Sequence, residues 1–195
     1  MIPLNNLMRK NDIIFSAICG LSVVWVCDDF LIKYGLREYS LVLLFLLPIL
    51  SVFGLWLTDL IGRKKIFARQ GGKFILAGSF ANVVDIKIFQ FIFLFLPNKS
   101  VVKLISFSIA TVVKYFSDKH WTFEKHERKD MHKEMGKFFL VAVVGAAMNV
   151  VSFYFLTKIK TGISANLWIE LSIILAAIIS GLWNFLGYKY IVFKK

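Results

Sequence analysis

The chain has 195 residues, 58% of them hydrophobic and 20 of them phenylalanine, and a formal net charge of +12. A soluble domain of this size would leave much of that apolar surface facing water, so the composition argues against an ordinary soluble protein. The charge would indicate a nucleic-acid-binding protein only if the basic residues covered a folded, water-exposed surface.

Six apolar stretches are long enough, in whole or in part, to cross a bilayer as helices, because about 20 mostly apolar residues span its core of ~30 Å. The stretches are continuously apolar rather than alternating, which favours helices over the strands of a barrel. In chain order they are residues 13–32, 41–61, 74–96, 101–117, 138–156 and 167–188. We therefore predict an all-α, polytopic membrane protein, with polar breaks that include residues 62–73 and 119–137.

The basic residues are distributed unequally between the two predicted sides of the membrane. With a cytoplasmic N-terminus, sixteen Lys and Arg lie on inner segments and six on outer loops, while Lys87 and Lys114 lie within spans. An excess on the inner side is the usual orientation signal of membrane proteins. We expect a multi-pass cell-membrane protein with both termini in the cytoplasm and no nucleic-acid partner.

The second half of the chain contains an internal repeat. The Gly-Lys-Phe segment that begins at Gly72 recurs at Gly136, and the polar residues Asp85 and Asn149 follow at the same register, 64 residues apart. Repeats of this kind set the architecture of many transporters.

A second match strengthens the repeat. The segments that begin at Lys114 and Asn184 align at an offset of 70 residues. Each unit contains two spans, so both copies enter the membrane in the same direction. We predict a parallel duplicated two-helix repeat over residues 72–125 and 136–195, related by a pseudo-two-fold axis along the membrane normal. The first two helices are read as a hairpin that could be a third, decayed copy.

Residues from about 70 onward resemble the GtrA family of small four-helix membrane proteins. The resemblance rests on a basic-Phe start, a Gly-rich first helix with an acidic or amide residue, and the end of the fourth span, which reads Asp118-Lys119-His120-Trp121-Thr122-Phe123. The second copy departs from that ending with Tyr188-Lys189-Tyr190-Ile191-Val192-Phe193, although Asn184-Phe185 precedes it. The resemblance divides the chain into an N-terminal transmembrane hairpin, residues 1–70, and a GtrA-like domain, residues 71–195. It implies a role in cell-surface polysaccharide synthesis, as a flippase for a polyprenyl-phosphate-linked monosaccharide.

Polar residues within the spans are the first candidates for a substrate site, since a charge at a helix centre costs roughly 2.5–3.5 kcal/mol on insertion scales. Asp85 lies about 18 Å along the helix from Lys73, which predicts a position near the midplane. Asn149 has the same depth in its own copy, and Asn82 shares a face with Asp85. Two such faces meeting across the pseudo-axis would form a cleft for sugar hydroxyls. The alternative is an ordinary interhelical hydrogen bond.

Basic residues near the helix ends are candidates for binding a lipid phosphate. Lys114 lies inside the fourth span, and Lys119 and Lys189 occupy matching helix ends, where cationic donors would meet a phosphate at headgroup depth. Snorkelling to the interface is the alternative for Lys114. Trp121 is expected first in the interfacial aromatic belt, with stacking on a sugar ring as the alternative. By resemblance, the predicted substrate-binding set also includes Asp118 and Asn184.

Lys87 needs a partner or a path to the outer headgroups, because it points almost opposite to Asp85 on the same helix. Asp28, Asp29 and Glu170 are the candidate partners, and such a pair would dock the N-terminal hairpin against the GtrA-like domain. Asp59, near the inner end of the second span, is expected to be interfacial.

The sequence contains no motif for nucleotide binding, zinc-dependent hydrolysis or nucleophilic catalysis, so we expect no enzymatic activity, cofactor or metal. Flipping from the cytoplasmic to the outer leaflet is the leading hypothesis. The alternatives are a non-transporting membrane subunit that anchors a glycosyltransferase, and a small proton-coupled multidrug exporter that uses Asp85. The expected partners are the polyprenyl-phosphate-linked sugar lipid and membrane lipids, with a glycosyltransferase and a second copy of the chain as further options.

Overall fold

The computed structural model describes residues 8–62, 66–127, 130–159, 161, 162 and 164–194. This part of the chain contains six long helices and no strand, and each helix is long and apolar enough to cross a membrane. The prediction of an all-α, polytopic membrane protein is confirmed. The helices are α1 (Lys10–Lys33), α2 (Ser40–Gly62), α3 (Ile66–Phe93), α4 (Lys99–Ser117), α5 (Met131–Thr157) and α6 (Ala165–Gly187).

The predicted polar break over residues 62–73 is wrong from Ile66 onward, because α3 begins there. Arg69 and Lys73 lie within the first turns of α3, where acidic side chains of α1 and α2 neutralise them. A helix can therefore continue through residues that hydropathy alone assigns to a loop. Residues 63–65 lie outside the described part of the chain.

Contacts divide the chain into two compact units, Met1–Glu124 and Lys125–Lys195. In the first unit, α3 packs against α1, α2 and α4, and α1 also packs along α2. In the second unit, α5 packs against α6, and the ring of Phe138 stacks on Tyr188 at 3.9 Å. Many large apolar side chains stay exposed on every helix, as expected where the surrounding solvent is lipid. The predicted boundary at residue 70 stays a prediction.

Both α4 and α6 run directly into a five-residue π-helical turn, Asp118–Thr122 and Tyr188–Val192. The backbone N–H of Phe123 donates to the Asp118 carbonyl at 2.8 Å, and that of Phe193 donates to the Tyr188 carbonyl at 2.7 Å. The two turns occupy equivalent positions when the segments that begin at Lys114 and Asn184 are aligned. Such a shared ending is what a duplication would produce, and the repeat itself stays a prediction.

An ion pair joins the N-terminal hairpin to α3. The Lys87 ammonium lies 2.6 Å from an Asp29 carboxylate oxygen, and the Gln90 amide donates to the same oxygen at 3.0 Å. Of the three candidate partners of Lys87, Asp28, Asp29 and Glu170, it is Asp29 that the ammonium contacts, so the partner interpretation holds over snorkelling. The Lys87 ammonium also lies 4.7 Å from the centre of the Trp25 ring, which favours a cation there.

Candidate functional site

The most extensive polar arrangement in the first unit centres on Asp12, which is only 3% exposed. One carboxylate oxygen lies 2.8 Å from the Lys73 ammonium and accepts the indole N–H of Trp121 at 2.9 Å. The other oxygen accepts from the Arg69 guanidinium at 3.0 Å. Asp12 thus joins α1, α3 and the first π turn through three donors.

Two further acidic residues complete this group, which we call the Asp12 cluster (Asp12, Asp59, Arg69, Lys73, Trp121 and Glu124). The Nε of Arg69 lies 3.0 Å from an Asp59 carboxylate oxygen, so Arg69 bridges α1 and α2. Lys73 lies 3.1 Å from Glu124, which also pairs with Arg9 at 3.4 Å. Together with Arg9, the acidic and basic side chains balance, as buried charges require.

The Asp12 cluster contains two residues for which an interfacial position was expected. Trp121 is 8% exposed and stacks on Phe15 at 5.5 Å, so it packs inside the protein and does not join an interfacial belt. Asp59 is buried at 6% exposure and pairs with Arg69, while its predicted depth at the membrane interface stays a prediction. One feature of the sequence could have revealed the cluster: acidic and basic residues both occur at helix ends that were predicted to lie on the same side of the membrane. Stacking of Trp121 on a sugar stays a prediction.

The first π turn holds a buried pair made by two of the predicted residues. The Lys114 ammonium lies 3.1 Å from a carboxylate oxygen of Asp118, whose side chain is fully buried. The other oxygen of Asp118 accepts from the Thr122 hydroxyl at 3.0 Å. The Lys114 ammonium also lies 4.0 Å from the centre of the Phe74 ring. Lys114 therefore points into the protein and does not snorkel to the interface.

Lys119 is 1% exposed and donates to the Tyr115 hydroxyl at 3.2 Å. Its helix-end position was predicted, but the ammonium lies inside the protein. Lys189, its counterpart in the second unit, is half-buried, with the rings of Phe185 and Tyr190 at 5.9 and 5.6 Å. In both units the lysine thus lies close to the aromatic ring four residues before it.

Asp85 is tied to α4 by two contacts. It accepts from the Ser106 hydroxyl at 2.6 Å and forms an ion pair with Lys103. Because Lys103 lies near the start of α4 and Asp85 nearer to the Phe93 end of α3, the carboxylate lies away from the middle of its helix. Asn82 is exposed on the same helix. The predicted position at the membrane midplane stays a prediction.

In the second unit, the Asn149 amide donates to the Ser180 hydroxyl of α6 at 3.3 Å, which is the interhelical hydrogen bond of the alternative interpretation. The side-chain oxygen of Asn184 is buried and accepts no hydrogen bond from the described residues. It lies against Gly145, where a Cβ atom would come within 2.2 Å, so α5 and α6 approach closely there. A cleft formed jointly by the Asp85 and Asn149 faces stays a prediction.

Glu124 gives the Asp12 cluster a pH dependence. Partial burial opposes ionisation of Glu124, but the hydrogen bond and charge of Lys73, with the charges of Arg9 and Arg69, outweigh it and hold the pKa of Glu124 below its usual range. Because this pKa is lower in the folded state, the stabilisation is complete above the usual glutamate range and is lost as the pH falls through the folded-state value.

Glu124→Gln should therefore lower the thermal midpoint of the purified protein at neutral pH and leave it unchanged at strongly acidic pH. The neutral-pH loss should stay below about 1 kcal/mol, because the carboxylate is about one-third exposed. Thermal unfolding in detergent across the acidic range measures the difference. A difference between the two proteins that persists at low pH would contradict this origin.

Among the described residues, no three His, Cys, Asp or Glu side chains are grouped as a metal site requires. Comparisons with curated proteins and with solved structures found no match. The family model described as "GtrA/DPMS, transmembrane domain" matches residues 73–193, which is more than half of the chain. The match begins at Lys73 of the Asp12 cluster and includes both π turns, while α1 and α2 precede it. The chain belongs to the GtrA/DPMS transmembrane domain family.

Proposed function

We propose that this protein moves a polyprenyl-phosphate-linked monosaccharide from the cytoplasmic to the outer leaflet, for cell-surface polysaccharide synthesis. The observation that carries the proposal is the presence of ionisable pairs at two levels along α3 and α4. Lys114 and Asp118 form one pair near the π turn, and Asp85 and Lys103 form the other near the opposite end. Charges within spans are costly, and in membrane proteins they mark substrate and ion pathways.

The end of α4 that carries Lys114, together with Lys119 in the π turn that follows, is suited to binding the phosphate of the lipid. Lys114 is held by Asp118, and a phosphate that displaced this carboxylate would compensate the same ammonium, while Asp118 would keep the Thr122 hydroxyl as a donor. Lys119 is buried beside Tyr115 and would reach the phosphate only after the π turn moves. Short π-helical segments are frequent at functional sites, which fits such a movement. Lys189 would offer the equivalent cation in the second unit.

The polar side chains further along the helices would then receive the sugar. Asp85, Ser106 and the exposed Asn82 offer acceptors and donors for hydroxyl groups. Asn149 and Asn184 would do the same in the second unit. Asp85 is already paired with Lys103, which disfavours its use as the binding site of a cationic drug.

Reconstitution distinguishes flipping from the anchoring of a glycosyltransferase. Purified protein would be placed in liposomes that contain a polyprenyl-phosphate-linked sugar, and the leaflet of the sugar would be followed with a membrane-impermeant sugar-binding probe. Flipping above the rate of protein-free liposomes supports the proposal. No flipping, together with retention of a glycosyltransferase on the same protein, would favour the anchor.

We further propose Asp85 as the acid that couples flipping to protons, so Asp85→Asn should remove any dependence of the flipping rate on a pH gradient. Stability should fall by less than about 1 kcal/mol, since Lys103 is more than half exposed. Asp29→Asn is the matched control, because it removes the carboxylate of another interhelical pair outside the proposed path. Equal pH dependence in wild type and Asp85→Asn would refute the coupling role.

A further inference from the structure

The first unit contains a cavity of about 290 Å³ whose walls come from both the N-terminal hairpin and the family domain. Helix α1 contributes Phe15 and Cys19, α3 contributes Phe80, and α4 with its π turn contributes Phe116 and Trp121. Because α1 precedes the family match, this enclosure depends on a helix that the matched region does not supply.

The lining is suited to a hydrocarbon and not to a sugar. Three phenylalanine rings and one tryptophan ring line the cavity, and two of them, Phe15 and Trp121, stack on each other at 5.5 Å. The Ser117 hydroxyl in the wall already donates to the Val113 carbonyl at 2.9 Å. Sugar hydroxyls enclosed here would lose their hydrogen bonds to water with little replacement, which is costly.

The cavity wall also contains an exposed polar residue. It is His120, whose ring stands parallel to the Phe116 ring at 6.2 Å. The Lys73 ammonium lies 5.8 Å from the centre of the Trp121 ring and is neutralised there by Asp12 and Glu124. The apolar volume thus begins directly beside an exposed imidazole, which can donate a hydrogen bond to a phosphate oxygen.

A phosphate placed at His120, beside this apolar volume, would distinguish anionic lipids by the distance between phosphate and hydrocarbon. In an isoprenyl phosphate, the phosphate is bonded directly to the first branched apolar unit. In a glycerophospholipid, a glycerol and its ester groups separate the two, and those polar groups would have to enter the apolar cavity unpaired. The volume lies near the lower end of ligand pockets, roughly 300–1,000 Å³, so only the part of a chain nearest the phosphate would fit.

We propose that this cavity binds the first isoprene units of an isoprenyl phosphate, with the phosphate at the π turn that carries both Lys119 and His120 and the rest of the chain in the bilayer. The proposal rests on the proposed function, since it supplies the binding site for the lipid part of that substrate. It also assigns a role to α1 as one wall of a lipid-binding site.

The test is equilibrium binding of farnesyl phosphate, a short isoprenyl phosphate, to the full-length protein in detergent. Cys19→Phe fills the cavity from α1, whereas Cys27→Phe makes the same change on the same helix outside the cavity lining. We expect a loss of affinity of several-fold or more for Cys19→Phe and none for Cys27→Phe. Ala77→Leu fills the cavity from α3 and should reproduce the loss. Thermal midpoints identify variants that have not folded.

Competition and cross-linking complete the test. Phosphatidic acid, which has the same phosphate on a glycerol backbone, should compete poorly with farnesyl phosphate. A photoreactive farnesyl phosphate should label peptides from α1, α3 and the end of α4 in the wild-type protein. This labelling tests the site even if neither Cys19→Phe nor Ala77→Leu folds. Unchanged affinity in a folded Cys19→Phe protein, equal competition by phosphatidic acid, or labelling away from these helices would overturn the proposal.

The proposal of a lipid site in the cavity and the proposal of a flippase function can be refuted independently. If farnesyl phosphate binds and Cys19→Phe abolishes the binding, but wild-type protein flips nothing, the cavity stands and the flippase proposal fails. If folded Cys19→Phe protein flips the sugar lipid as fast as wild type, the flippase proposal stands and the cavity is not its lipid site.

Discussion

Replacing Asp12 with alanine should destabilise the protein by about 3–5 kcal/mol, because one change leaves buried cationic groups without their shared carboxylate. Lys73 is only 2% exposed and would retain its ion pair with Glu124 but lose the one with Asp12. The indole N–H of Trp121 would lose its hydrogen-bond acceptor. Arg69 would retain Asp59. The loss should appear as a lower thermal midpoint in detergent and as faster proteolysis between the hairpin and α3.

A double-mutant cycle separates the buried pair from general packing. Lys73→Met removes the cation, so Asp12→Ala combined with Lys73→Met should cost less than the sum of the two single changes. Asp130→Asn is the matched control, because Asp130 pairs with Lys133 at 3.3 Å at an exposed site and asparagine tolerates its left-handed backbone. We expect the control to cost less than about 1 kcal/mol. Similar losses from Asp12→Ala and Asp130→Asn would contradict a special role for the Asp12 cluster.

Gly20→Ala should separate α1 from α2 and cost about 1–3 kcal/mol, since an added methyl group has no room at this crossing. A Cβ at Gly20 would lie 2.6 Å from the Pro48 Cα and 2.7 Å from the Leu47 carbonyl oxygen, and neither backbone atom can move away alone. Small residues at such crossings let membrane helices pack closely. Because α1 forms one wall of the cavity, farnesyl phosphate binding should weaken as well.

Gly54→Ala tests the same substitution where space is open. Nothing lies within 4 Å of the Cβ that this change would add on α2, and alanine favours a helix over glycine by roughly 0.5–1 kcal/mol. The two variants should therefore shift the thermal midpoint in opposite directions. A shift of the same sign and size in both would show that helix propensity, and not the α1–α2 contact, determines the effect.

The six helices could be predicted from the sequence because crossing a bilayer needs long apolar runs, a requirement each segment meets locally. The pairing of Lys87 with Asp29 could also be anticipated, since a charge in a span needs a partner. The start of α3 could not be predicted, because the carboxylates that neutralise Arg69 and Lys73 belong to α1 and α2. Hydropathy in a short window contains no information about such distant partners.

The candidate site was predicted less completely than the fold. The match between Lys119 and Lys189 indicated that Lys119 lies at a helix end, but not that its ammonium points inward to Tyr115. The Asp12 cluster was missed because its members are far apart in the sequence and only the packed helices bring them together. The two π turns lie at positions that the alignment of the two repeat units places opposite each other, although the hydrophobic periodicity of the sequence did not indicate a π-helical geometry.

The most direct test of the central claim compares two lipids in one preparation. Liposomes containing only this protein would hold a polyprenyl-phosphate-linked monosaccharide and a fluorescent phosphatidylcholine, and the transbilayer rate of each would be measured. The account predicts that the protein accelerates movement of the sugar lipid well above the protein-free rate and leaves phosphatidylcholine unchanged. Equal acceleration of both lipids, or of neither, would contradict it.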